Sequence, residues 1–580
     1  MSALIDTGDS PHSPASQVSP PGAAASSRGR GGWRLDALLA GGLAVLALTI
    51  RLPYLWTIPR FTDETLEVLH SLAIIREGAR PLTNYDSYYG ALYNYMVAAA
   101  LALSGESPLA PRVVVLIAGV LTVVATYFLG VEIGRRLPAV QDREAATAGR
   151  TGPRMVGLLA AALLATNGPH VVVNSHIAWS NCLTPLLTTL AFWALLRGSR
   201  FWVLGSGGGE ADGPAEGVSE QASPAPHLLP LAGLLLGLAL QTHPLVVALL
   251  PGIALAVLLR DWRIVRTPWP WLAAVLFLVA YSNVLVYNAN QGFESLTSAQ
   301  RMRTEYAQDQ ASASGYGPSA ASMYLLLGRV VGGAIDQRES AAAYLADPSV
   351  LLVGGLALAG IGLLAARREL LPLLACAGFL LILPAANPKF QTLLTTRYLM
   401  PIVPLLFACA ALALVWLVTL ALSRWPSTRK RPLLAALLVG LFLAALPLVS
   451  LDRYYQYTLG RTDTNDRILK LVADIKATRQ PNEPVLVDES IGGELPDTGV
   501  TELRGLKYLL DFARVPYQSV RISPGRLQDA LDNQPSVLAI LNARDAQAAG
   551  GRLTVESLDP RPAVETGRMF DFRLYRLSRS

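Results

Sequence analysis

Long apolar runs fill most of the first 450 residues, and they decide what this chain can fold into. Residues 35–55, 111–134, 155–173, 269–287, 350–366, 399–422 and 433–449 carry few charges. Each approaches the roughly 20 residues needed to cross a hydrocarbon core. Shorter runs at 182–196, 228–240, 244–259 and 370–384 have the same character. Of the whole chain, 52% is hydrophobic and 16% charged, whereas soluble domains carry about a quarter charged residues. The expected fold is an α-helical polytopic membrane protein of about eleven spans.

Composition narrows the function classes. Cys182, Cys376 and Cys409 all lie in or beside apolar runs, so neither a disulfide framework nor a cysteine metal cluster is expected. The net charge of +6 comes with basic residues in short loops between spans. The positive-inside rule explains these without invoking nucleic acid. Residues 1–33 are rich in Ser, Pro, Gly and Ala and lack the apolar core of a signal peptide. They read as a disordered cytoplasmic tail, with the first span as an uncleaved signal anchor.

Charge also sets the expected orientation. Segment 135–154 holds Arg135, Arg136, Arg143, Arg150 and Arg154 against Asp142 and Glu144. Segments 260–266, 367–368 and 424–431 are basic too, and all are expected inside. Parity allows this only if residues 88–104, short and marked by Tyr88, Tyr89, Tyr93, Asn94 and Tyr95, lie along the outer interface. The N-terminus is then inside and the C-terminus outside. The outer face collects a first loop (56–107), the segment NSHIAWSN (174–181), the corner Gln241-Thr242-His243, a long polar loop (288–348) and segment 387–398. The membrane domain spans 34–450. Residues 451–580 alternate strand-like stretches (484–488, 517–522, 536–541, 572–577) with helical ones (462–478, 503–513, 524–532), as a small extracytoplasmic α/β domain would.

Within the first loop stands the pair Asp63-Glu64, directly after the first span. Charge so near hydrocarbon is costly and tends to be kept for a purpose. A carboxylate there can serve as a general base or hold a divalent cation. It can also simply start the helix that follows. The residues alone leave these open.

The run PRFTDETLEVLHSLAIIREGARPL, continued by YYGALYNYMVAAALALSGESPLAPRVVVLIAGVLTVVATYFLG, resembles the N-terminal signature of GT-C membrane glycosyltransferases. The nearest kind is the protein O-mannosyltransferase and aminoarabinose-transferase group. The matching features are Asp63-Glu64, Gly78, Ser104-Gly105 and Arg112. Two later blocks agree and follow in the family's order. AGLLLGLALQTHPLVVALLPG (232–252) resembles its Gly-rich hairpin, and TTRYLMPIVPLLFACAALAL (395–414) its Arg-Tyr-x-x-Pro-x-x-Pro span.

The resemblance implies a plasma-membrane enzyme that moves a sugar, of hexosyl or mannosyl type, from a polyprenyl-phosphate donor to an extracytoplasmic protein, glycan or lipid. Asp63 would be the general base of an inverting attack, and Glu64 would shape the site. Arg397, with Tyr398, would face the lipid phosphate, joined by Arg112. His243 stands where some relatives have Lys. Asn181, with His176 nearby, stands where many relatives have a second acid. Tyr88 and Tyr89 stand where the family has a metal-binding Glu, with Asp86 close by. Asp86, Tyr89, His176 and Asn181 are therefore expected to line the donor and acceptor pocket, and a divalent cation remains a possible cofactor. The long loop, with Arg301, Arg303, Glu305, Tyr306 and Tyr316, would close over a substrate. Two other classes compete. A transporter or flippase would also place polar residues near spans, though no inverted repeat is evident. A non-catalytic envelope-assembly protein can share a catalytic fold.

Overall fold

The computed structural model describes residues 25–56, 62–136, 148–198, 228–309, 315–335, 346–390, 393–423, 432–459, 463–489, 502–521, 524–532, 534–550, 553–558 and 572–579. Helix α1 (Ala25–Arg51) begins inside the expected tail. It is followed by α2 (Thr62–Arg76), α3 (Leu92–Leu103) and α4 (Ala110–Gly134). Next come α5 (Ala148–Ala165), α6 (Gly168–Ser175) and α7 (Thr184–Gly198). The middle of the chain gives α8 (Leu228–Thr242), α9 (Leu250–Arg260), α10 (Pro268–Ala280) and α11 (Ser282–Asn290). Then follow α12 (Glu294–Asp309), α13 (Tyr316–Gly332), α14 (Pro348–Ala366), α15 (Leu371–Ala386), α16 (Val403–Ser423) and α17 (Pro432–Leu459).

Among the described residues, Trp33–Arg51, Ala110–Gly134, Pro348–Ala366, Val403–Leu422 and Pro432–Gln456 are long and apolar enough to cross a membrane. Two bent pairs, α5 with α6 (65°) and α10 with α11 (58°), raise the number to seven. Reaching the expected eleven requires the shorter α7, α8, α9 and α15 to cross as well. Burial separates centre from rim. In α4 and α16 the most apolar window is 61% buried, against 33% in α14 and α17, so the first two form the middle of the bundle.

The two bends have identifiable causes, which a continuous apolar pattern hides. At the first, Asn167 caps α6 by accepting from the His170 amide at 3.0 Å, and its own amide donates to the Val330 carbonyl at 2.7 Å. Pro169 then stands in the first turn, where no backbone donor is needed. At the second, the Gln241 side chain reaches in and donates to the Ala280 carbonyl, so a side chain interrupts the helix ladder. The glycines of α8 are there for close approach. A Cβ on Gly233 or Gly237 would run into the Ala273 and Phe277 carbonyls of α10.

The first loop is compact. Helix α3 begins at Leu92, later than expected, because Tyr88 and Tyr89 belong to a turn closed by the Thr83–Gly90 bridge. It buries Tyr93, Val97 and Leu101 and exposes Tyr95, Met96 and Leu103. The stretch 288–348, read as a polar loop, is largely helical where described. α12 is polar nearly all round, and α13 buries Met323, Leu326 and Val330. Ala, Gln, Arg, Glu and Met are good helix formers whatever their polarity, and low hydropathy concealed that. Tyr306, although on α12, has a side chain outside the described residues.

The C-terminal part is a five-stranded mixed sheet in the order β2-β1-β3-β5-β4. Its strands are β1 (Val485–Asp488), β2 (Gln518–Val520), β3 (Ser536–Asn542), β4 (Leu553–Ser557) and β5 (Phe572–Arg579). β1 pairs in parallel with β2 and β3, while β5 runs antiparallel to β3 and β4. The accompanying helices are α18 (Asp463–Thr478), α19 (Glu502–Phe512), α20 (Pro524–Asp532) and α21 (Ala543–Ala549).

This part is fastened to the first loop. Arg76, in the last turn of α2, donates to the Asp511 and Phe512 carbonyls at the end of α19 (2.8 and 3.3 Å) and to Glu106 at 2.6 Å. Arg514 reaches the same Glu106 at 2.7 Å. The hydrogen bond from Arg76 holds the Glu106 carboxyl below the usual range. A depressed folded pKa stabilises the contact above the unfolded value of about 4.3, and that stability is lost as pH falls through the lower folded value. The protection of residues 502–514 against hydrogen exchange, corrected for the intrinsic exchange rate at each pH, is expected to fall at acid pH relative to neutrality. Glu106→Gln should show the lower protection already at neutral pH, and equal protection in both proteins would contradict the clasp.

Candidate functional site

Arg397 lies in a 3-10 turn, Leu393–Tyr398, just before α16. Its guanidinium sits over the Trp179 ring, 4.1 Å from the centroid, and 5.1 Å from that of Tyr398. It donates to the Tyr398 hydroxyl at 3.2 Å. The surroundings of Asn181 fix its amide orientation: the side-chain oxygen accepts from Arg397 Nε at 3.1 Å, and the nitrogen donates to the Thr242 carbonyl at 3.2 Å. A planar cation is thus held by an aromatic face and two polar groups in a fixed direction.

His243 borders this cation at the break between α8 and α9. Its ring centroid is 5.3 Å from Tyr398 and 5.6 Å from Tyr89. Nδ1 accepts from the Leu245 amide at 3.1 Å, and Nε2 is buried without a hydrogen-bond partner. Burial, reinforced by the Arg397 charge, pushes its pKa down to about 3, so the imidazole is neutral with one nitrogen open. Tyr89 is brought here because Gly90 N donates to the Gln241 carbonyl at 2.8 Å. A Cβ at Gly90 would clash with the Gln241 side chain. Tyr88 stacks 4.7 Å from Tyr89 and donates to Asp86 at 3.0 Å. Arg397, Tyr398, His243, Tyr89, Asn181 and the Tyr88–Asp86 pair are therefore one neighbourhood.

Glu64 and Arg112 form a second cluster. Both are fully buried. Arg112 Nε meets Glu64 Oε1 at 2.8 Å, Nη2 meets Oε2 at 3.1 Å, and Nη1 donates to the Leu55 carbonyl at 2.7 Å. This is a two-pronged carboxylate pair. Arg112 was expected to face the donor phosphate. Instead its guanidinium edges are spent on Glu64 and the end of the first span. Glu64, expected to shape the site, has both oxygens on Arg112. Asp63 stands in the first turn of α2, and its side chain lies outside the described residues.

His176 joins a third cluster. Its ring nitrogens meet the Arg51 carbonyl and, at 3.4 Å, the Tyr455 hydroxyl. Arg51 was missed by the sequence reading. It is fully buried and donates to the Ala165 and Leu164 carbonyls at the end of α5, to Ser175 and to His170. A cation there offsets the negative end of a broken helix. Glu67, one turn after Asp63 on α2, was also missed. It is buried and accepts from Asn84, Ser180 N and Ser180 Oγ. The four-residue spacing from Asp63 was the available signal. Among the described residues no group of three or more His, Cys, Asp or Glu could hold a metal ion.

No protein-family model and no curated protein matches this chain. Solved structures do, among them two of one protein. One is ArnT from Cupriavidus metallidurans bound to undecaprenyl phosphate, with TM-score 0.55 and 14% identity, covering 94% of this chain and 98% of that one. The other is the same protein in the apo state, with TM-score 0.58, 13% identity and the same coverage. At such identity the likeness establishes the fold alone: an arrangement of apolar helices with a small C-terminal sheet, as in ArnT, and a helical membrane-type fold of this kind is what the sequence led us to expect.

Proposed function

We propose that the protein is a membrane glycosyltransferase that takes a sugar from a polyprenyl-phosphate carrier and places it on an extracytoplasmic acceptor. The observation that carries this reading is the Arg397 pocket, a cation oriented by Trp179, Asn181 and Tyr398 beside a neutral His243 with an open nitrogen. An anionic leaving group needs such a fixed cation where its charge develops. The shared fold with a protein solved with undecaprenyl phosphate supports the choice of carrier.

In this mechanism the Asp63 carboxylate takes the proton of the acceptor hydroxyl. The acceptor oxygen attacks the anomeric carbon from the face opposite the phosphate, a new C–O bond forms and the anomeric configuration inverts. The bond to the phosphate oxygen breaks, and the polyprenyl phosphate leaves as an anion against Arg397. Asp63 ends protonated and passes its proton to solvent. The basic loops, read by the positive-inside rule, support an extracytoplasmic site for this chemistry, with the C-terminal domain on the same side.

Purified full-length protein supplied with a panel of undecaprenyl-phosphate sugars and cell-envelope extract is expected to release undecaprenyl phosphate and glycosylate an acceptor. The same sugars on nucleotide carriers should give no transfer. Movement of intact lipid-linked sugar across vesicles without transfer would instead make the protein a flippase.

A further inference from the structure

We infer that Glu67 is a positioning residue that couples the helix bearing Asp63 to the cradle of Arg397; the inference rests on the phosphate-binding reading of that pocket. Glu67 accepts from Ser180 N at 2.8 Å and from Ser180 Oγ at 3.2 Å. Ser180 lies between Trp179 and Asn181, the two residues that fix the plane and direction of the Arg397 guanidinium. Glu67 also accepts from Asn84 Nδ2 at 2.8 Å. Asn84 in turn donates its backbone N–H to the Tyr89 carbonyl at 3.0 Å, and Tyr89 flanks His243. One carboxylate on α2 therefore holds both walls of the pocket: the 179–181 segment and the turn that ends at Gly90.

The chemistry of the group suits this task and resists replacement. An ionised carboxylate only accepts, and among the described residues this one faces donors from Asn84 and Ser180. A buried carboxylate costs several kcal/mol unless its oxygens are occupied, and here they are occupied by donors from two other segments. A glutamine would turn an NH2 toward at least one of those donors, leaving two donors face to face. Segment 179–181 would then shift, and with it the direction of Arg397. Because Asp63 begins the same helix one turn earlier, the register between the proposed base and the proposed phosphate-binding cation passes through this joint.

The test uses full-length protein in detergent, with undecaprenyl phosphate and uncharged undecaprenol as probes. Wild type is expected to prefer the phosphate. Glu67→Gln should lower the ratio of the two affinities about tenfold, Glu67→Asp should restore part of it, and undecaprenol binding should be unchanged. A residue with a purely structural role would lower both affinities together and leave the ratio intact, which overturns the inference. If Glu67→Gln does not fold, Ser180→Ala carries the test. It removes only the Oγ contact, is expected to lower the ratio about threefold, and an unchanged ratio there overturns the inference equally. If wild type itself shows no preference for the phosphate, the reading of the pocket falls. If wild type shows the preference and Glu67→Gln keeps it, the role of Glu67 alone falls.

Discussion

Arg112→Met is expected to destabilise the protein by about 3–5 kcal/mol, because it leaves the Glu64 carboxylate buried without its counter-charge. Nothing about the pair allows a soft failure. Both side chains are fully buried, so water cannot replace the lost donors, and the Leu55 carbonyl loses its partner at the same time. Glu64→Met should fail in the same way, leaving the guanidinium uncompensated. The double variant Glu64→Met/Arg112→Met removes both charges and should recover most of the loss, since well-packed apolar residues often replace a buried pair at little cost. Unfolding followed in detergent by tryptophan fluorescence reads all three. Single variants as stable as wild type, or a double variant as damaged as the sum of the two, would contradict the arrangement.

Asp63→Asn is expected to lower the transfer rate about 10²–10⁴-fold, the range ascribed to a general base. The affinity for undecaprenyl phosphate and the unfolding midpoint should stay near wild type. The separation follows from the geometry. The cation and its cradle are built from segments at 179–181, 241–243 and 393–398, and Arg397 is oriented by Trp179, Asn181 and Tyr398. An asparagine keeps the size of the side chain but cannot take a proton. Equal turnover by the two proteins in a donor-release assay would remove Asp63 from the base role.

The sequence made some of this legible and concealed the rest for physical reasons. Apolar runs become helices almost by necessity, since backbone polar groups in hydrocarbon must be satisfied internally. Long apolar helices such as α4 and α16 were therefore readable. The bends at Asn167 and Tyr281 were not, because the apolar pattern runs through them and the causes are partners from far away, Val330 and Gln241. The strand β4 was hidden for another reason: it is short, and its burial pattern has one buried position. In the site, Arg397, Tyr398, His243 and Tyr89 were expected from the resemblance to the glycosyltransferase blocks. Asn181 was expected to line the pocket where relatives have an acid, and the structure sets its side-chain oxygen against Arg397. Glu67 and Arg51 escaped because their partners Ser180 and Ser175 lie 113 and 124 positions on. Apart from the four-residue spacing of Glu67 from Asp63, residue spacing carries no trace of them. His176 was expected in the pocket because it lies near Asn181 and Arg112 because of the family resemblance; the structure pairs them with Arg51 and Tyr455 and with Glu64.

The most direct test of the account is the affinity of the purified protein for undecaprenyl phosphate, measured for wild type and Arg397→Gln at low and high salt. The account predicts binding by wild type that weakens with salt. It predicts a loss of about a hundredfold in Arg397→Gln, as expected when a charged hydrogen-bonding group is removed from an anion site, and little salt dependence in what remains. Equal affinities in the two proteins would contradict it, because the phosphate would then bind somewhere other than the pocket built around Arg397.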